Sequence, residues 1–416
     1  MLHENKEEIE YVILVAVDHV TEKNDYTVFD VDASLDELSE LADTAGAVVV
    51  GRVVQKLPHF NPSTYIGSGK IEELKTMIYA TGATGIIADD ELSPSQMYNL
   101  SQALDIKIMD RTMLILDIFA AHARSAEGKL QIELAQLEYN LSRLTGKGTS
   151  MSRLGGGIGT RGPGEKKLEQ DRRVIRKRVS QLKHDIKEMA AHREITRAGR
   201  EKGRIPVFAI VGYTNVGKST LLNALTGADI LAEDKLFATL DTTTRVFEYK
   251  RETGKQKILL TDTVGFIRKL PHDLIDAFRS TLEEAKYADY IIHVVDASSP
   301  DRLAEMKVVY NTLDELGITG KRIVTIFNKI DKIYDDDMKM GLFDPRAVDY
   351  IRISARNRTG LSLIPEMIDK LLREDRTLIE HIYSYDEMGK VSEIKKNGEV
   401  IEEEYLENGI YIKAYV

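Results

Sequence analysis

Residues 207–220 read VFAIVGYTNVGKST. The apolar run Val207–Val211 has the length and β-branched content of a buried strand. It leads into Gly212-Tyr213-Thr214-Asn215-Val216-Gly217-Lys218-Ser219, and Thr220 continues into the helical pattern LLNALTG. This is the G-x-x-x-x-G-K-[ST] pattern in the strand–loop–helix setting it requires. The glycines let the main chain wrap phosphate groups, so that its N–H groups form an anion nest. The helix N-terminus adds a favourable dipole. Lys218 is placed to neutralise β- and γ-phosphates, and the Ser219 hydroxyl to ligate Mg²⁺. The stretch predicts a phosphate-binding loop within an α/β domain.

Downstream, KILLTDTVGF ends a second apolar run in Asp262-Thr263-Val264-Gly265, with Asp262 lying 43 residues after Ser219. A carboxylate at a strand end can hold Mg²⁺ through water, and the Gly265 amide can sense a γ-phosphate. RIVTIFNKID then ends a third run in Asn328-Lys329-Ile330-Asp331. The Asp331 carboxylate can accept from both the ring N–H and the exocyclic amine of guanine. Adenine offers neither donor there, so the acid would be left unpaired and ATP disfavoured. Lys329 can lie along the base. YIRIS delivers Ser354-Ala355-Arg356, whose backbone amide can meet the guanine carbonyl. These motifs place a GTP-binding domain at 205–372.

Working outward, residues 10–120 alternate apolar runs (YVILVAVD, AVVVGRVVQ, TGIIADD, IKIMD) with helical patterns (LDELSELADTAG, KIEELKTMIYATG, SPSQMYNLSQAL). Such alternation predicts an N-terminal α/β domain over 1–125 with a mostly parallel sheet. IGSGK at Ile66–Lys70 lacks phosphate-loop spacing and reads as a turn. Over 126–202 the pattern changes. Leu130, Leu134, Leu137, Leu141 and Leu144 step by 4, 3, 4, 3, and Leu168, Ile175, Val179, Leu182, Ile186 and Met189 step by 7, 4, 3, 4, 3. Both have the spacing of a helix–helix seam and predict an antiparallel helical hairpin. The tip, TGKGTSMSRLGGGIGTRGPGEKK, contains eight glycines among Lys147, Arg153, Arg161, Lys166 and Lys167. It reads as a mobile basic loop over 146–164 suited to a phosphate backbone. The last segment, 373–416, reads as a small β-rich unit of four strand-like pieces, HIYSYD, KVSEIK, EVIEEEYL and GIYIKAYV.

Charge is distributed unevenly. The chain carries −10 overall, yet residues 140–204 hold 18 Lys+Arg and 7 Asp+Glu. That stretch is therefore +11 and the remainder −21, so one basic element on an acidic body is positioned to meet an anionic surface. Cysteine is absent, which excludes disulfides and thiolate metal sites. The acidic residues before the first apolar run do not suit a secretory signal, and no run reaches membrane-spanning length, so a cytoplasmic location is expected. A monomer is the default expectation.

The ordered set GYTNVGKS, FATLDTTTR, DTVG, NKID and SAR resembles the translation-factor-related class of GTPases. GGGIGTRGPGEKKLEQDRRVIRKRV and DTVGFIRKLPHDLIDAFRSTLEEA narrow the resemblance to the HflX family of ribosome-associated GTPases, over nearly the whole chain. The resemblance implies an N-terminal α/β domain, a helical hairpin and a Ras-like GTPase domain. It also implies GTP/GDP as substrate and product, Mg²⁺ as cofactor and the large ribosomal subunit as partner, some members splitting stalled ribosomes. On that alignment, Phe237, Ala238, Thr239, Leu240 and Asp241 form a nucleotide-contacting switch. Thr239 then ligates Mg²⁺ and joins Lys218 and Gly265 in catalysis, with Thr243 the alternative. The family usually has proline at Thr242.

Ras-type sites place a water-orienting glutamine after D-x-x-G. Here Phe266 stands in that position, which predicts slow intrinsic hydrolysis. Two other readings are a GTP-gated ribosome-binding protein with incidental hydrolysis and an Era-like rRNA-processing GTPase. The latter needs an RNA module after the GTPase domain, and the tail has no G-x-x-G.

Overall fold

The computed structural model describes residues 9–19, 30–151, 163–198, 205–227, 236–237, 243–251, 254–270, 284–333 and 341–416, with backbone alone over 144–151, 163–168 and 192–198 and at 397. The N-terminal domain runs β1 (Tyr11–Asp18), α1 (Val31–Thr44), β2 (Val48–Lys56), α2 (Ser68–Thr81), β3 (Gly85–Ala88), α3 (Pro94–Leu104), β4 (Lys107–Asp110) and α4 (Arg111–His122). Its sheet has the order β2-β1-β3-β4, and every pairing is parallel. The strands read as near-continuous apolar runs because helices cover both faces. One face packs Leu14, Leu38 and Phe119, the other Ile13, Ile71 and Leu100. Strand order reverses at β1, so the carboxyl ends of β1 and β3 flank a topological switch point.

Local signals fix the helix starts. Asp30 accepts from Val31 N at 2.7 Å to open α1. Ser93 and Gln96 form a capping box at α3, with Pro94 in its first turn. Ser68 opens α2 while Gly67 N donates to Gln55 Oε1 at 2.8 Å, so the IGSGK stretch is a turn and a helix start.

Two long helices follow, α5 (Ala126–Met151) and α6 (Pro163–Ala198). They pack on each other, with Leu134 and Leu182 buried and Arg178 gripping Glu133 through Nε at 2.6 Å and Nη2 at 2.8 Å. The other face of α5 carries Ile132, Ala135 and Tyr139 into the N-terminal core. The expected loop over 146–164 is a correction: α5 continues to Met151 and α6 already begins at Pro163. Extending an established helix adds one hydrogen bond per residue, which outweighs the roughly 1 kcal/mol cost of Gly146 or Gly148. Proline's fixed φ is pre-organised for a first helical position.

The GTPase domain contains β5 (Val207–Gly212), α7 (Lys218–Thr226), β6 (Thr243–Arg251), β7 (Gly254–Asp262), β8 (Tyr290–Asp296), α8 (Arg302–Glu315), β9 (Arg322–Asn328), β10 (Asp349–Arg352) and α9 (Leu363–Glu374). The sheet order is β10-β9-β8-β5-β7-β6, parallel except for the β6–β7 hairpin. Its core is continuous with that of the N-terminal domain, and Phe119 meets Phe237 edge-on at 4.5 Å.

The C-terminal unit holds β11 (Leu378–Tyr383), α10 (Met388–Asn397), β12 (Glu399–Leu406) and β13 (Gly409–Tyr415). The strands form an antiparallel sheet of order β11-β13-β12. KVSEIK is therefore helix, not strand. Val391 and Ile394 are three apart, a helical spacing, and both pack on Ile410, Ile412 and Ala414. Glu399 anchors the unit to the GTPase domain, accepting from Arg373 Nη2 at 2.6 Å and pairing with Arg251 at 3.1 Å.

Candidate nucleotide site

β5 lies between β7 and β8, so the loop after Gly212 opens at the carboxyl end of a parallel sheet, where α/β domains bind ligands. Gly212 cannot carry a side chain, since a Cβ would sit 2.3 Å from Val294 O. Asn215 (φ 59°) and Gly217 (φ 93°) are left-handed, which turns successive amides toward one concavity. A Cβ on Gly217 would meet Asn328 Nδ2 at 2.5 Å. Gly217 then caps α7, whose first residue is Lys218.

Lys218 folds back on its own loop, donating to Tyr213 O at 2.8 Å and Gly212 O at 3.2 Å. Burial pulls its ammonium down to about 8, and Lys329 adds to the shift while Asp262 opposes it. An anion entering the loop would favour the charged form and raise it again. Ser219 Oγ donates to Asp262 Oδ2 at 2.7 Å, and Asp262 is fully buried. Thr263 Oγ1 donates to Ile210 O at 2.8 Å and pins the turn after β7. Phe266 pairs with the phosphate loop: Thr214 N donates to Phe266 O at 2.8 Å, and Phe266 N to Gly212 O at 3.1 Å. Val264 and Phe266 are buried, so the phenyl ring packs inward.

Asn328 joins three of the motifs. Its Nδ2 donates to Val216 O at 2.8 Å, and its Oδ1 accepts from Ala355 N at 2.9 Å. Lys329 is left-handed (φ 63°), and its ammonium pairs with Asp296 Oδ2 at 2.8 Å. Ile330 and Asp331 fall in a short 3₁₀ turn, where Asp331 Oδ1 is buried and has no partner within the protein. A carboxylate held this way can accept from two donors of a ligand. Ser354 is buried and accepts from Asn357 N at 3.1 Å, while Arg356 points to solvent.

The structure thus brings together Gly212–Ser219, Asp262–Gly265, Asn328–Asp331 and Ser354–Ala355 around one opening. Thr220 follows on α7. Phe237 is buried against Phe119, away from a ligand role in this conformation. Ala238, Thr239, Leu240, Asp241 and Thr242 lie outside the described residues, as do Arg153 and Arg161. Lys147, Lys166 and Lys167 fall on the facing ends of α5 and α6. Thr243, the alternative metal ligand, begins β6 directly opposite Asp262. Sequence reasoning missed the linking role of Asn328 and the Asp296 partner of Lys329, because neither follows from local spacing.

A phosphate loop, a buried acid at the neighbouring strand end and a recessed carboxylate beside the same opening define a P-loop nucleoside triphosphatase of the GTPase class. Comparison with known proteins agrees. Residues 32–120 match the N-terminal region of GTP-binding GTPases, 122–200 their middle region, and 207–329 a domain described as a 50S ribosome-binding GTPase. The GTPase HflX of Lacrimispora saccharolytica is 56% identical, covering 100% of this chain and 95% of its own. That of Caldanaerobacter subterraneus is 50% identical over 92% and 88%. The chain belongs to the HflX family of GTPases and hydrolyses GTP.

Proposed function

We propose that the chain is a guanine-nucleotide switch that binds the large ribosomal subunit in its GTP form and leaves after slow hydrolysis, acting in the splitting, rescue or recycling of ribosomes. The observation that carries the ribosome reading is the segregation of charge. Residues 140–204 carry +11 and the remainder −21, and the described part of that stretch is the end of α5 and all of α6. A concentration of positive charge of this kind favours approach of a polyanion to those helices. Lys147, Arg153, Arg161, Lys166 and Lys167 are the candidate contacts with ribosomal RNA. The matched family descriptions, which include 50S binding, support the same reading.

In the nucleotide site Asp331 accepts from guanine, Ala355 N meets the base carbonyl, and Lys218 grips the β- and γ-phosphates. Ser219 and Asp262 offer oxygen donors of the kind Mg²⁺ takes, and Thr239 of the switch would add a third. The ion, when bound, would neutralise charge developing on the phosphate oxygens. Phe266 is buried and has no group to orient water, so intrinsic turnover is slow, and ordering of the switch segments on the ribosome accelerates it.

No helix among the described residues is long and apolar enough to cross a membrane, and a cytoplasmic monomer fits this role. Sedimentation with purified ribosomal subunits tests the proposal. Pelleting with the large subunit should be strongest with a non-hydrolysable GTP analogue, weaker with GDP and weakest without nucleotide. Equal pelleting in all three conditions would remove the switch.

A further inference from the structure

Lys329 leaves β9 in the left-handed region, at φ 63°, and caps the 3₁₀ turn that carries Asp331. A lysine keeps that conformation only where its surroundings hold it. Its far end is held by Asp296, the last residue of β8, whose Oδ2 lies 2.8 Å from Lys329 Nζ. The two side chains are 16% and 19% exposed, so water and salt screen the pair only weakly.

The carboxylate is the fixed member of the pair. Its Oδ1 accepts from Ser298 N at 2.9 Å and from Ser298 Oγ at 2.6 Å. Asp296 faces Asn328 in the parallel register of β8 and β9, and the next residue, Ala297, donates its N–H to Asn328 O at 2.9 Å. Asp296 is thus built into the strand end that also carries Asn328, Lys329 and Asp331. Lys329, by contrast, reaches it on a flexible four-carbon stem.

Charge at the opening gives this anchor its importance. Burial, and after it the nearness of Lys329, lowers the Lys218 ammonium, so two cations face one opening. The phosphates of a bound nucleotide attract both. Without a counter-charge of its own, the Lys329 ammonium would be drawn toward the phosphates, and its stem would leave the base.

We propose that Asp296 is a positioning residue for guanine recognition: by holding the Lys329 ammonium away from the phosphates, it keeps the lysine stem along the base that Asp331 reads. The proposal rests on the reading that Lys329 borders the base. It divides the two cations by task, Lys218 for phosphate and Lys329 for purine. Asp296 acts through Lys329 and touches neither nucleotide nor metal.

The test uses the full chain and two probes, GDP and inorganic pyrophosphate, each competing against a fluorescent GDP. Mg²⁺ is left out because pyrophosphate would sequester it. Asp296→Asn keeps an acceptor for Ser298, removes the charge and turns an amide toward Lys329. It should weaken GDP by about 10-fold and leave pyrophosphate as tight as in wild type or tighter. Lys329→Ala should also weaken GDP, and adding Asp296→Asn to it should cause no further loss, since the carboxylate works only through the lysine. An Asp296→Asn protein that binds GDP as tightly as wild type overturns the proposal. So does equal weakening of GDP and pyrophosphate, or a further loss in the double variant, either of which marks a merely structural contact. Failure of the underlying reading would show separately, as Lys329→Ala binding GDP as tightly as wild type.

Discussion

Tyr139 donates its hydroxyl to Asp110 Oδ1 at 2.7 Å, which fastens the first long helix to the end of the N-terminal sheet. Arg143, one turn further on, reaches Asp110 Oδ2 at 3.0 Å and lies over the Tyr139 ring. Asp110 is fully buried and also accepts from Leu92 N and Met113 N. Tyr139→Phe removes one donor to a buried carboxylate and should cost about 1–3 kcal/mol. Thermal unfolding should show the lowered Tm, with GDP affinity unchanged. A Tm equal to wild type would mean that Arg143 alone secures the helix.

Asn328 holds the phosphate loop to the loop carrying Ala355 through two hydrogen bonds of 2.8 and 2.9 Å. Asn328→Ala leaves Val216 O and Ala355 N without that partner and opens space beside Gly217. GDP affinity should fall by more than about 10-fold, since each buried group left unsatisfied costs roughly 1–3 kcal/mol. Equilibrium titration with a fluorescent GDP checks this, and unchanged affinity would refute the linking role.

Asp331→Asn exchanges an acceptor-only group for an amide that also donates. Guanine then faces a donor where its amine needs an acceptor, whereas xanthine presents a carbonyl there. Guanine nucleotide affinity should drop by about 100-fold or more, and xanthosine diphosphate should become the tighter ligand. Competition titrations decide it. Retained guanine preference would place the base elsewhere.

Gly217→Ala puts a methyl group 2.5 Å from Asn328 Nδ2 at a backbone φ of 93°. The loop must shift or Asn328 must leave Val216. Nucleotide binding should weaken at least about 10-fold while the fold survives, because the strain is local and about 1–3 kcal/mol. Titration and circular dichroism on the same sample separate the two effects.

Glu305 sits at the start of α8, its carboxylate accepting from Ser299 Oγ at 2.6 Å. Burial, with Asp296, Asp301 and Glu37 nearby, pushes it up to about 7, against the pull of Ser299. The folded protein therefore holds a proton here that the unfolded chain releases near 4.5, so stability falls as pH rises from about 4.5 to 7 and stays reduced above it. Glu305→Gln keeps the acceptor and removes the charge. It should raise the Tm at pH 8 by a few degrees, from a gain of about 1–3 kcal/mol, and change little at pH 4.5. An equal Tm gain at both pH values would show that the carboxylate's ionisation is not the cause.

The nucleotide motifs were legible because each is a short run whose function depends on spacing along a strand–loop–helix unit. Val207–Ser219, Asp262–Gly265 and Asn328–Asp331 carry their meaning locally, and the alternation of apolar runs announced both α/β domains. The tail was misread where KVSEIK, six residues with two apolar positions, was too short to reveal its period before Ile410 and Ile412 were there to pack against. At the hairpin tip the glycines from Gly146 onward point locally to loop, whereas the helices on either side carry α5 to Met151 and start α6 at Pro163.

What the sequence determined by itself was the chemistry of the opening: a phosphate-wrapping loop, oxygen donors for a hard cation and an acid that selects guanine. What only the tertiary structure decided was which distant side chains meet. Lys269 Nζ pairs with Asp89 Oδ2 at 2.6 Å although the two lie 180 residues apart, and no periodicity relates them. An ion pair between distant residues depends on where two domains dock, and that is set by the whole of both cores rather than by any local run of side chains.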